Sequence, residues 1–315
     1  MEFKKALETL SDSKLSRVFM LNGTAYVEGT GRRIKIDGDI PFEGTINTQA
    51  IWYATMVYPE AKRTIEAACL KVSEEREKLK VETKINVYPL EVEKEEPEYF
   101  AVIDIEAMRR AYERIVPILD EHEREITFQH RFGRLFMLAY NRKLECLGAE
   151  AIGHDRFETC VLASTICKVL NTFTTGKVYA GLSKRMAWFS DGGDIEVYGA
   201  RFSTNVPVWE TLLDEDAMCI MEVDAAELMG VLLLCNKLSN FCILNFKDGV
   251  LEIEVTGKDS LRATLRGRGI GEGKIAVRNL PLAYVLRSQG EISLEMVRED
   301  LLLLRGYYGY YMFKA

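Results

Sequence analysis

The feature that most constrains the fold of this chain is a supersecondary unit that recurs along it. Residues 172–197 contain the end of a helical stretch, a turn at Gly176, an alternating strand, a Gly-containing turn and another strand. Residues 286–312 repeat this order around Gly290, and a fainter copy starts at the helical stretch 46–59. Recurrence of such a unit predicts a repeat architecture. Since the period is roughly a hundred residues, each copy is expected to be a whole domain.

A second amphipathic helix is predicted upstream of each of these helical stretches, near 2–10, 104–119 and 223–235. Segments with strand periodicity fill the intervals between the helices. The order helix, strands, helix, strands therefore occurs three times. It predicts an α+β fold of three repeated domains, each with two helices packed on antiparallel sheet. The predicted domains are 1–96, 97–213 and 214–315.

Two short sequences predict tight hairpins. Asn-Gly at 22–23 and Asp-Gly at 248–249 both tolerate the positive φ that a two-residue type I′ turn requires. Residues 242–246 and 251–255 alternate between apolar and polar side chains on either side of the second turn. This pattern predicts a half-buried antiparallel hairpin.

Length and composition favour a multidomain cytoplasmic protein. A chain of 315 residues exceeds one ordinary hydrophobic core and fits two or three domains. No apolar run approaches the roughly 20 residues of a bilayer span, and the N-terminal segment MEFKKALETL carries charges where a signal peptide needs an apolar core. Seven cysteines without tight spacing predict free thiols in a reducing compartment. We expect no membrane partner.

The helices predict where a basic surface could lie on this acidic chain. The net charge of −7 argues against general polyanion binding but permits a local basic surface. Several Lys and Arg residues lie opposite the apolar stripes of their helices. Such positions are ordinarily solvated helix faces, and they form a basic surface only if all the helices share one surface. The predicted outward basic residues are Lys4, Lys5, Arg109, Arg110, Arg114, Lys168 and Arg287.

Signals for an enzyme are weak. The glycine-rich residues 267–273 lack the spacing of a phosphate-binding loop, so a connection between a strand and the next helix is expected there. Cys160 and Cys167 lack metal-ligand spacing, whereas a nucleophilic pair of Cys160 with His154 is left open. Tyrosines within 307–311 could stack on bases, but a terminal strand is favoured. We expect no catalytic residue, metal or cofactor; an enzyme using Cys160 or residues 267–273 is an alternative.

Several segments resemble the bacterial beta sliding clamp family, the processivity factors of DNA polymerase. Residues 223–255 resemble the first helix and hairpin of the family's last domain, and residues 273–296 resemble its second helix and following strand. The end, YYGYYMFKA, resembles its closing strand, and residues 100–115 resemble the first helix of its central domain. The resemblance is close over 98–315 and weak over 1–97, so a phage-encoded or divergent member is an open interpretation.

The resemblance implies a homodimeric ring. Six similar domains from two head-to-tail chains would enclose double-stranded DNA, with the seven outward basic residues facing the hole and contacting phosphates without sequence preference. It also implies a seam in which Ile85 and Val87 of the first domain meet Leu233 and Leu234 of the third. A clamp-like regulatory or structural homologue that does not encircle DNA is a second alternative.

The resemblance further implies a groove between the second and third domains. There, short apolar peptides of a DNA polymerase and a clamp loader would bind. Residues 145–152 depart from the family's Ala-Thr-Asp-Gly-His-Arg-Leu segment, which suggests a modified peptide preference. The implied groove residues are Leu147, Ile152, Pro207, Trp209, Arg278, Pro281, Tyr311, Met312 and Phe313.

Overall fold

The computed structural model resolves the chain into two compact units. The residues that it describes are 1–37, 40, 43–57, 62–66, 69–76, 79–88, 95–119, 124–141, 145–203, 209–256, 259–287 and 289–315, and between 53 and 94 only Ile85 has a described side chain. Unit 1 comprises Met1–Tyr99 with Val178–Ala200, and unit 2 comprises Phe100–Lys177 with Arg201–Ala315. The division into three sequence repeats stays a prediction.

Helices form wherever the sequence predicts them, with bounds that differ by a few residues. Asp104 and Asp224 cap two of them, because each carboxylate accepts a hydrogen bond from the backbone N–H three residues later. Among the described helices, none is both long and apolar enough to span a bilayer. The helices are α1 (Phe3–Thr9), α2 (Thr48–Val57), α3 (Ile105–Ile115), α4 (Ala163–Thr172), α5 (Ala225–Leu238) and α6 (Asn279–Val285).

Strands make up most of the remaining chain, and they pair in antiparallel fashion throughout the sheets described below. The strands are β1 (Leu15–Leu21), β2 (Thr24–Gly29), β3 (Arg32–Ile36), β4 (Gly44–Asn47), β5 (Lys62–Glu66), β6 (Cys69–Arg76), β7 (Leu79–Tyr88), β8 (Glu98–Asp104), β9 (Glu125–Arg131), β10 (Arg134–Tyr140), β11 (Cys146–Gly153), β12 (Thr159–Leu162), β13 (Lys177–Leu182), β14 (Met186–Ser190), β15 (Ile195–Phe202), β16 (Cys219–Asp224), β17 (Phe241–Lys247), β18 (Val250–Val255), β19 (Leu261–Arg266), β20 (Arg268–Ile270), β21 (Glu272–Arg278), β22 (Glu291–Arg298), β23 (Leu301–Arg305) and β24 (Gly309–Lys314).

Unit 1 is built on the meander β1–β2–β3. Strand β1 also pairs with β4, β4 with β7, and β7 with β6, while β3 pairs with β15. The core of this unit contains Leu7 of α1 and Leu10 directly after it, Val18 and Ile46 of the sheet, and Ile51 of α2. The alternating apolar residues of the strands therefore point toward the two helices, as expected for a two-layer α+β arrangement.

Unit 2 contains a sheet that joins the second predicted domain to the third. Strands β9, β10 and β11 form a meander, and β11 pairs with β24 from Cys146↔Phe313 to Glu150↔Gly309. Strands β24, β23, β22 and β16 continue the sheet. A four-stranded sheet, in the order β19–β18–β17–β21, lies beside helix α5. The last strand of the chain is thus an internal strand between β11 and β23.

The two hairpins predicted from Asn-Gly and Asp-Gly are confirmed. Two more turns of the same kind were not predicted, because the residue before glycine is Thr or Phe. In each turn both central residues have positive φ, as type I′ geometry requires. The four turns are Asn22 (49°) and Gly23 (78°), Thr30 (48°) and Gly31 (74°), Phe132 (52°) and Gly133 (71°), and Asp248 (27°) and Gly249 (81°).

The expectation of a loop at residues 267–273 is wrong, because this segment contains β20 and the start of β21. Strand β20 pairs with β16, opposite Ile220, Met221 and Glu222. A Cβ added at Gly267 would lie 2.0 Å from the carbonyl oxygen of Glu222. Glycine is therefore required by close backbone contact between strands, and the segment is not a phosphate-binding loop.

Candidate functional site

An apolar cluster lies where β10, β11, β23 and β24 meet the segment that begins at Trp209. Strand pairing places Leu147 directly opposite Met312. We call this set the Trp209 cluster. Its buried members are Phe136, Leu138, Leu147, Ala149, Trp209, Val297, Leu301, Leu303 and Met312, with Tyr140, Ala151, Leu212, Leu213 and Tyr310 partly buried against them.

Trp209 is fixed at the centre of the cluster by polar and aromatic contacts. Its indole Nε1 donates a buried hydrogen bond of 3.1 Å to Oε1 of Gln129. The rings of Phe136 and Tyr310 lie 5.6 and 6.0 Å from it. Phe132 packs edge-on against it at 6.1 Å and is 64% exposed. The cluster therefore has an aromatic centre held by a buried hydrogen bond, and Phe132 beside it is an aromatic side chain that reaches solvent.

A cleft of about 520 Å³ lies near the ends of α3, α5 and α6. The guanidinium of Arg278 forms an ion pair of 3.2 Å with Glu145, the residue that precedes β11. The same guanidinium lies 5.8 Å from the ring of Phe241. We call this the Arg278 cleft. It is lined by Pro117, Asn236, Asn240, Phe241, Arg278, Leu280 and Pro281.

The groove residues implied by the family resemblance do not all share one surface. Leu147, Trp209 and Met312 belong to the Trp209 cluster, whereas Arg278 and Pro281 line the Arg278 cleft. The contribution of Pro207 lies outside the described residues.

Three of the implied groove residues point away from the Trp209 cluster. Because side chains alternate along a strand, Tyr311 and Phe313 face the side of the sheet opposite Met312. A Cβ added at Gly148 would lie 3.2 Å from the Tyr311 ring, which confirms that Tyr311 faces the α3 side. Ile152 is five residues from Leu147, is buried and also lies outside the cluster. Assignment of these three side chains to the same groove wall is therefore wrong.

The chain end builds core instead of fraying. Tyr311 and Phe313 are fully buried, and Met312 is nearly so. Their backbone is paired on both sides, with β11 and with β23. The interpretation that terminal Met and Phe side chains are poorly placed to build a core is wrong here, because double pairing docks the terminus.

Placement of Arg114 on the outward helix face is also wrong. Its side chain is 1% exposed and forms an ion pair of 3.0 Å with Glu150, which is 0% exposed. Its Nε donates a hydrogen bond of 2.8 Å to the carbonyl oxygen of Arg287, at the end of α6. The guanidinium also lies 4.9 Å from the Tyr308 ring. Arg114 is covered by parts of the chain distant in sequence and links α3 to them.

The other basic residues differ in exposure. Lys4, Lys5 and Arg287 are exposed, whereas Arg109, Arg110 and Lys168 are intermediate. Arg109 donates a hydrogen bond of 2.9 Å to the carbonyl oxygen of Leu170, and the guanidinium of Arg110 lies 3.9 Å from the Tyr308 ring. The guanidinium of Arg287 lies 4.5 Å from the Tyr284 ring. All six can present charge to solvent, some with restricted mobility.

The implied seam residues whose side chains are described also differ in exposure. On α5, Leu233 and Leu234 are 43% and 59% exposed, so two adjacent leucine side chains leave apolar surface in solvent. By contrast, Ile85 is buried in the core of unit 1, so its side chain has no surface left for a second chain. The side chain of Val87 lies outside the described residues. The Ile85 side chain is therefore not available to a second chain, whereas a seam along the strand that carries it stays a prediction.

Cys160 has the wrong environment for a nucleophile. Burial raises the pKa of its thiol to about 11, and the nearby carboxylate of Glu125 adds to this increase despite a hydrogen bond with Thr127. A thiol of this pKa is almost fully protonated at neutral pH. Within the described part of the chain, no group of three or more His, Cys, Asp or Glu residues could hold a metal ion.

These environments predict selective thiol labelling. In the native protein at about pH 8, Cys167 is expected to react with iodoacetamide, because it is exposed. Cys160 and Cys242 are expected to react far more slowly, since both are buried and burial raises the pKa of Cys242 to about 12. Peptide mass spectrometry over a time course measures this order. Fast labelling of native Cys160, with Cys242 still protected, would support the alternative of an enzyme that uses Cys160.

The overall fold is similar to that of bacterial DNA polymerase III beta subunits. A DNA polymerase sliding clamp from Pseudomonas aeruginosa matches with a TM-score of 0.75 and 14% identity, over 99% of this chain and 96% of that chain. The beta subunit from Thermotoga maritima gives a TM-score of 0.70 at 14% identity, with the same 99% and 96% coverage. The beta chain from Streptococcus pneumoniae gives 0.73 at 13% identity, again over 99% and 96%.

The similarity lies in structure and not in sequence. No protein-family model and no curated protein matches the chain. Near-complete coverage of both chains shows that the α+β fold predicted from the repeats is that of the sliding clamps. The function has to be argued from the surfaces that this fold displays.

Proposed function

We propose that this protein is a DNA sliding clamp that holds a replicative DNA polymerase on double-stranded DNA and performs no catalysis of its own. The observation that carries the proposal is a fold similar to that of a DNA polymerase sliding clamp over nearly the full length of both chains. In the proposed assembly, two cytoplasmic chains associate head to tail. Their domains 1–96, 97–213 and 214–315 form a ring of six.

The repeated order of elements supports this division. Each predicted domain contains a helix, a set of strands, a second helix and a further set of strands. The two helices of each domain are in contact with each other: α1 with α2, α3 with α4, and α5 with α6. Three such pairs per chain give six per dimer, which is a closed arrangement with two equivalent seams.

Contact with DNA is assigned to the outward basic residues, with Arg114 removed from the set. Lys4, Lys5 and Arg287 are the best exposed. Phosphate contacts of exposed Lys and Arg bind without reading sequence, and each releases counterions from the DNA. A chain of net charge −7 can hold such a surface locally while repelling DNA elsewhere. The remaining assigned residues are Arg109, Arg110 and Lys168.

Partner peptides of the polymerase and the clamp loader are assigned to the Trp209 cluster and the Arg278 cleft. Glu145 connects the two, because it pairs with Arg278 and directly precedes the strand that carries Leu147. An apolar cluster linked to a polar cleft suits a short peptide with one or two large apolar side chains and a polar residue that fixes its register.

A test without a loader uses linear DNA with two biotinylated ends. A ring can thread onto a free end, and streptavidin added afterwards blocks both ends. The clamp is expected to stay with the DNA through gel filtration at moderate salt and to leave after a restriction enzyme cuts the duplex. Retention that survives cutting indicates a protein that binds the DNA surface without encircling the duplex. Absence of retention indicates a clamp-like homologue that does not encircle DNA.

The same assay tests the DNA surface. Replacement of Lys4, Lys5 and Arg287 by alanine is expected to shorten retention. It should also reduce the slope of log affinity against log salt concentration by about 0.9 for each phosphate that is no longer neutralised. Folding should be unchanged, because exposed charges contribute little to stability.

A matched control for the DNA-surface variant removes the same number of charges from exposed strand positions. Lys247, Arg262 and Lys274 lie on the four-stranded sheet and are exposed. Their replacement by alanine is expected to leave retention as in the wild type. Equal losses in the two triple variants would mean that only net charge matters and that the assigned surface is wrong.

A further inference from the structure

The turn between β23 and β24 exposes a tyrosine. Tyr307 is 82% exposed, and its ring packs perpendicular to the ring of Tyr308, with centroids 4.8 Å apart. An aromatic side chain left in solvent removes little apolar area from water and so contributes little to folding. A single exposed aromatic residue is ordinary on a protein surface, so its neighbours decide whether it has a role in binding.

Arg110 lies beside this turn with unused hydrogen-bond donors. Its guanidinium lies 3.9 Å from the centroid of the Tyr308 ring, and its Nε has no hydrogen-bond partner among the described residues. The nearby carboxylate of Glu150 is already engaged by Arg114 at 3.0 Å. A guanidinium that stacks on an aromatic face keeps its N–H groups, which lie in its own plane, available to a phosphate.

Arg287 brings a second, exposed guanidinium to the same region. Arg114 donates to its carbonyl oxygen at 2.8 Å and lies 4.9 Å from the Tyr308 ring, so one buried side chain holds the end of α6 next to the turn. A Cβ added at Gly306 would lie 1.9 Å from Oε1 of Gln289, which shows that the turn packs directly on the segment after α6. The turn and the two arginines therefore form a surface that is ordered before any ligand binds.

We propose that Tyr307 stacks on an unpaired base of single-stranded DNA, while Arg110 and Arg287 bind the adjoining phosphates. This inference rests on the proposed function, because both arginines belong to the assigned DNA surface. Aromatic rings beside basic side chains bind single strands without reading their sequence, since every base has a face on which a ring can stack. Bases inside a duplex are already stacked on each other, so this contact distinguishes unpaired from paired DNA.

The charges around the turn favour a nucleic acid over an apolar partner. Arg110, Arg114 and Arg287 surround it, and Glu150 pairs with Arg114. An apolar surface placed here would cover guanidinium groups without giving them hydrogen-bond partners, which is costly. Phosphates would bind the same groups and release counterions from the strand.

The test compares three fluorescent probes of equal length by anisotropy: oligo-dT, an abasic strand with the same phosphates, and a blunt duplex. The full-length wild type is expected to bind oligo-dT about fivefold or more tightly than the abasic strand, from stacking of a base on Tyr307. Tyr307→Ala should remove this difference and change the affinity for the duplex by less than about twofold. Because Tyr307 is exposed, the thermal midpoint should be unchanged.

Two further variants separate stacking from charge. Tyr307→Trp should keep the preference for oligo-dT, and the added tryptophan fluorescence should be quenched by oligo-dT but not by the abasic strand. Replacement of Arg110 and Arg287 by glutamine should weaken both strands alike and lower the salt slope by about 0.7 for each phosphate that is no longer neutralised.

A matched control replaces a different exposed tyrosine. Tyr179 of β13 is 45% exposed, and Tyr179→Ala should bind all three probes as the wild type does. Equal losses of oligo-dT binding in Tyr179→Ala and Tyr307→Ala would overturn the assignment to Tyr307. Tighter binding of an oligo-uridylate of the same length than of oligo-dT would assign the surface to RNA and overturn the assignment to DNA.

The outcomes separate this inference from the proposed function. A wild type that binds oligo-dT and the abasic strand equally, or binds neither, overturns base stacking on Tyr307, while retention on end-blocked DNA still supports a clamp. A chain that is not retained on end-blocked DNA, but prefers oligo-dT through Tyr307, overturns encirclement and supports the single-strand site.

Discussion

Replacement of Arg114 by alanine is expected to lower the free energy of unfolding by about 3–5 kcal/mol, the usual cost of leaving one member of a buried ion pair without its partner. Arg114 and Glu150 are both buried, and their charged groups are 3.0 Å apart. The substitution also removes the donor to the carbonyl oxygen of Arg287 and the cation that faces Tyr308. Urea denaturation followed by circular dichroism measures the loss.

Two further variants define the origin of the loss. Arg287→Ala removes an exposed arginine and should leave stability almost unchanged. The double variant Arg114→Met with Glu150→Gln removes both charges while keeping most of the volume, and it should recover much of the stability. If Arg114→Ala unfolds at the same urea concentration as Arg287→Ala, the buried ion pair is not part of the native structure in solution.

The loss caused by Arg114→Ala should depend on pH. Burial raises the pKa of the Glu150 carboxyl, and the charge of Arg114 acts in the opposite direction. Without Arg114, the pKa of Glu150 in the folded protein rises further above its unfolded value. A carboxyl raised in this way favours folding below its unfolded pKa, and that contribution is lost as pH rises through the folded pKa. The difference in unfolding free energy between wild type and variant should therefore be larger at about pH 8 than at about pH 5.

Local sequence patterns predict the helices and the two Asn-Gly and Asp-Gly hairpins, because those features depend on residues close in the chain. The wrong placement of Arg114 arises instead from a contact between residues that are far apart in the chain. Helical periodicity identifies the apolar stripe of α3, but the opposite side of Arg114 is covered by the end of α6, 173 residues later. No pattern within 104–119 contains that contact.

Strand periodicity alone could have predicted part of the site. Tyr311, Met312 and Phe313 are consecutive residues of one strand, so they cannot all line one face of a sheet. The sequence locates the Trp209 cluster through Leu147, Trp209 and Met312, but it does not identify Phe132, whose ring packs on Trp209. Phe132 occupies a turn position at which Asn or Asp would have predicted a type I′ turn. The hairpin is therefore not predicted from the sequence, whereas the structure shows it through the positive φ of Phe132.

Replacement of Leu234 by glutamate is expected to convert the proposed dimer into monomers and to abolish retention on end-blocked DNA. Leu233 and Leu234 leave large apolar surfaces in solvent on one helix, and a seam with a second chain would bury them. Removal of one leucine side chain from the seam, together with burial of an unpaired carboxylate, should weaken association by about a hundredfold or more. Sedimentation velocity at micromolar concentration measures the oligomeric state.

A matched control exists on another element. Ile270 of β20 is 70% exposed, so Ile270→Glu makes a similar change in charge and apolar surface outside the proposed seam. This variant should remain dimeric and be retained on DNA. Because Leu234 is exposed in the single chain, its replacement should leave the thermal midpoint of the monomer nearly unchanged. A monomeric wild type, or a Leu234→Glu variant that still forms dimers and is retained on blocked DNA, would exclude this face of α5 as the seam.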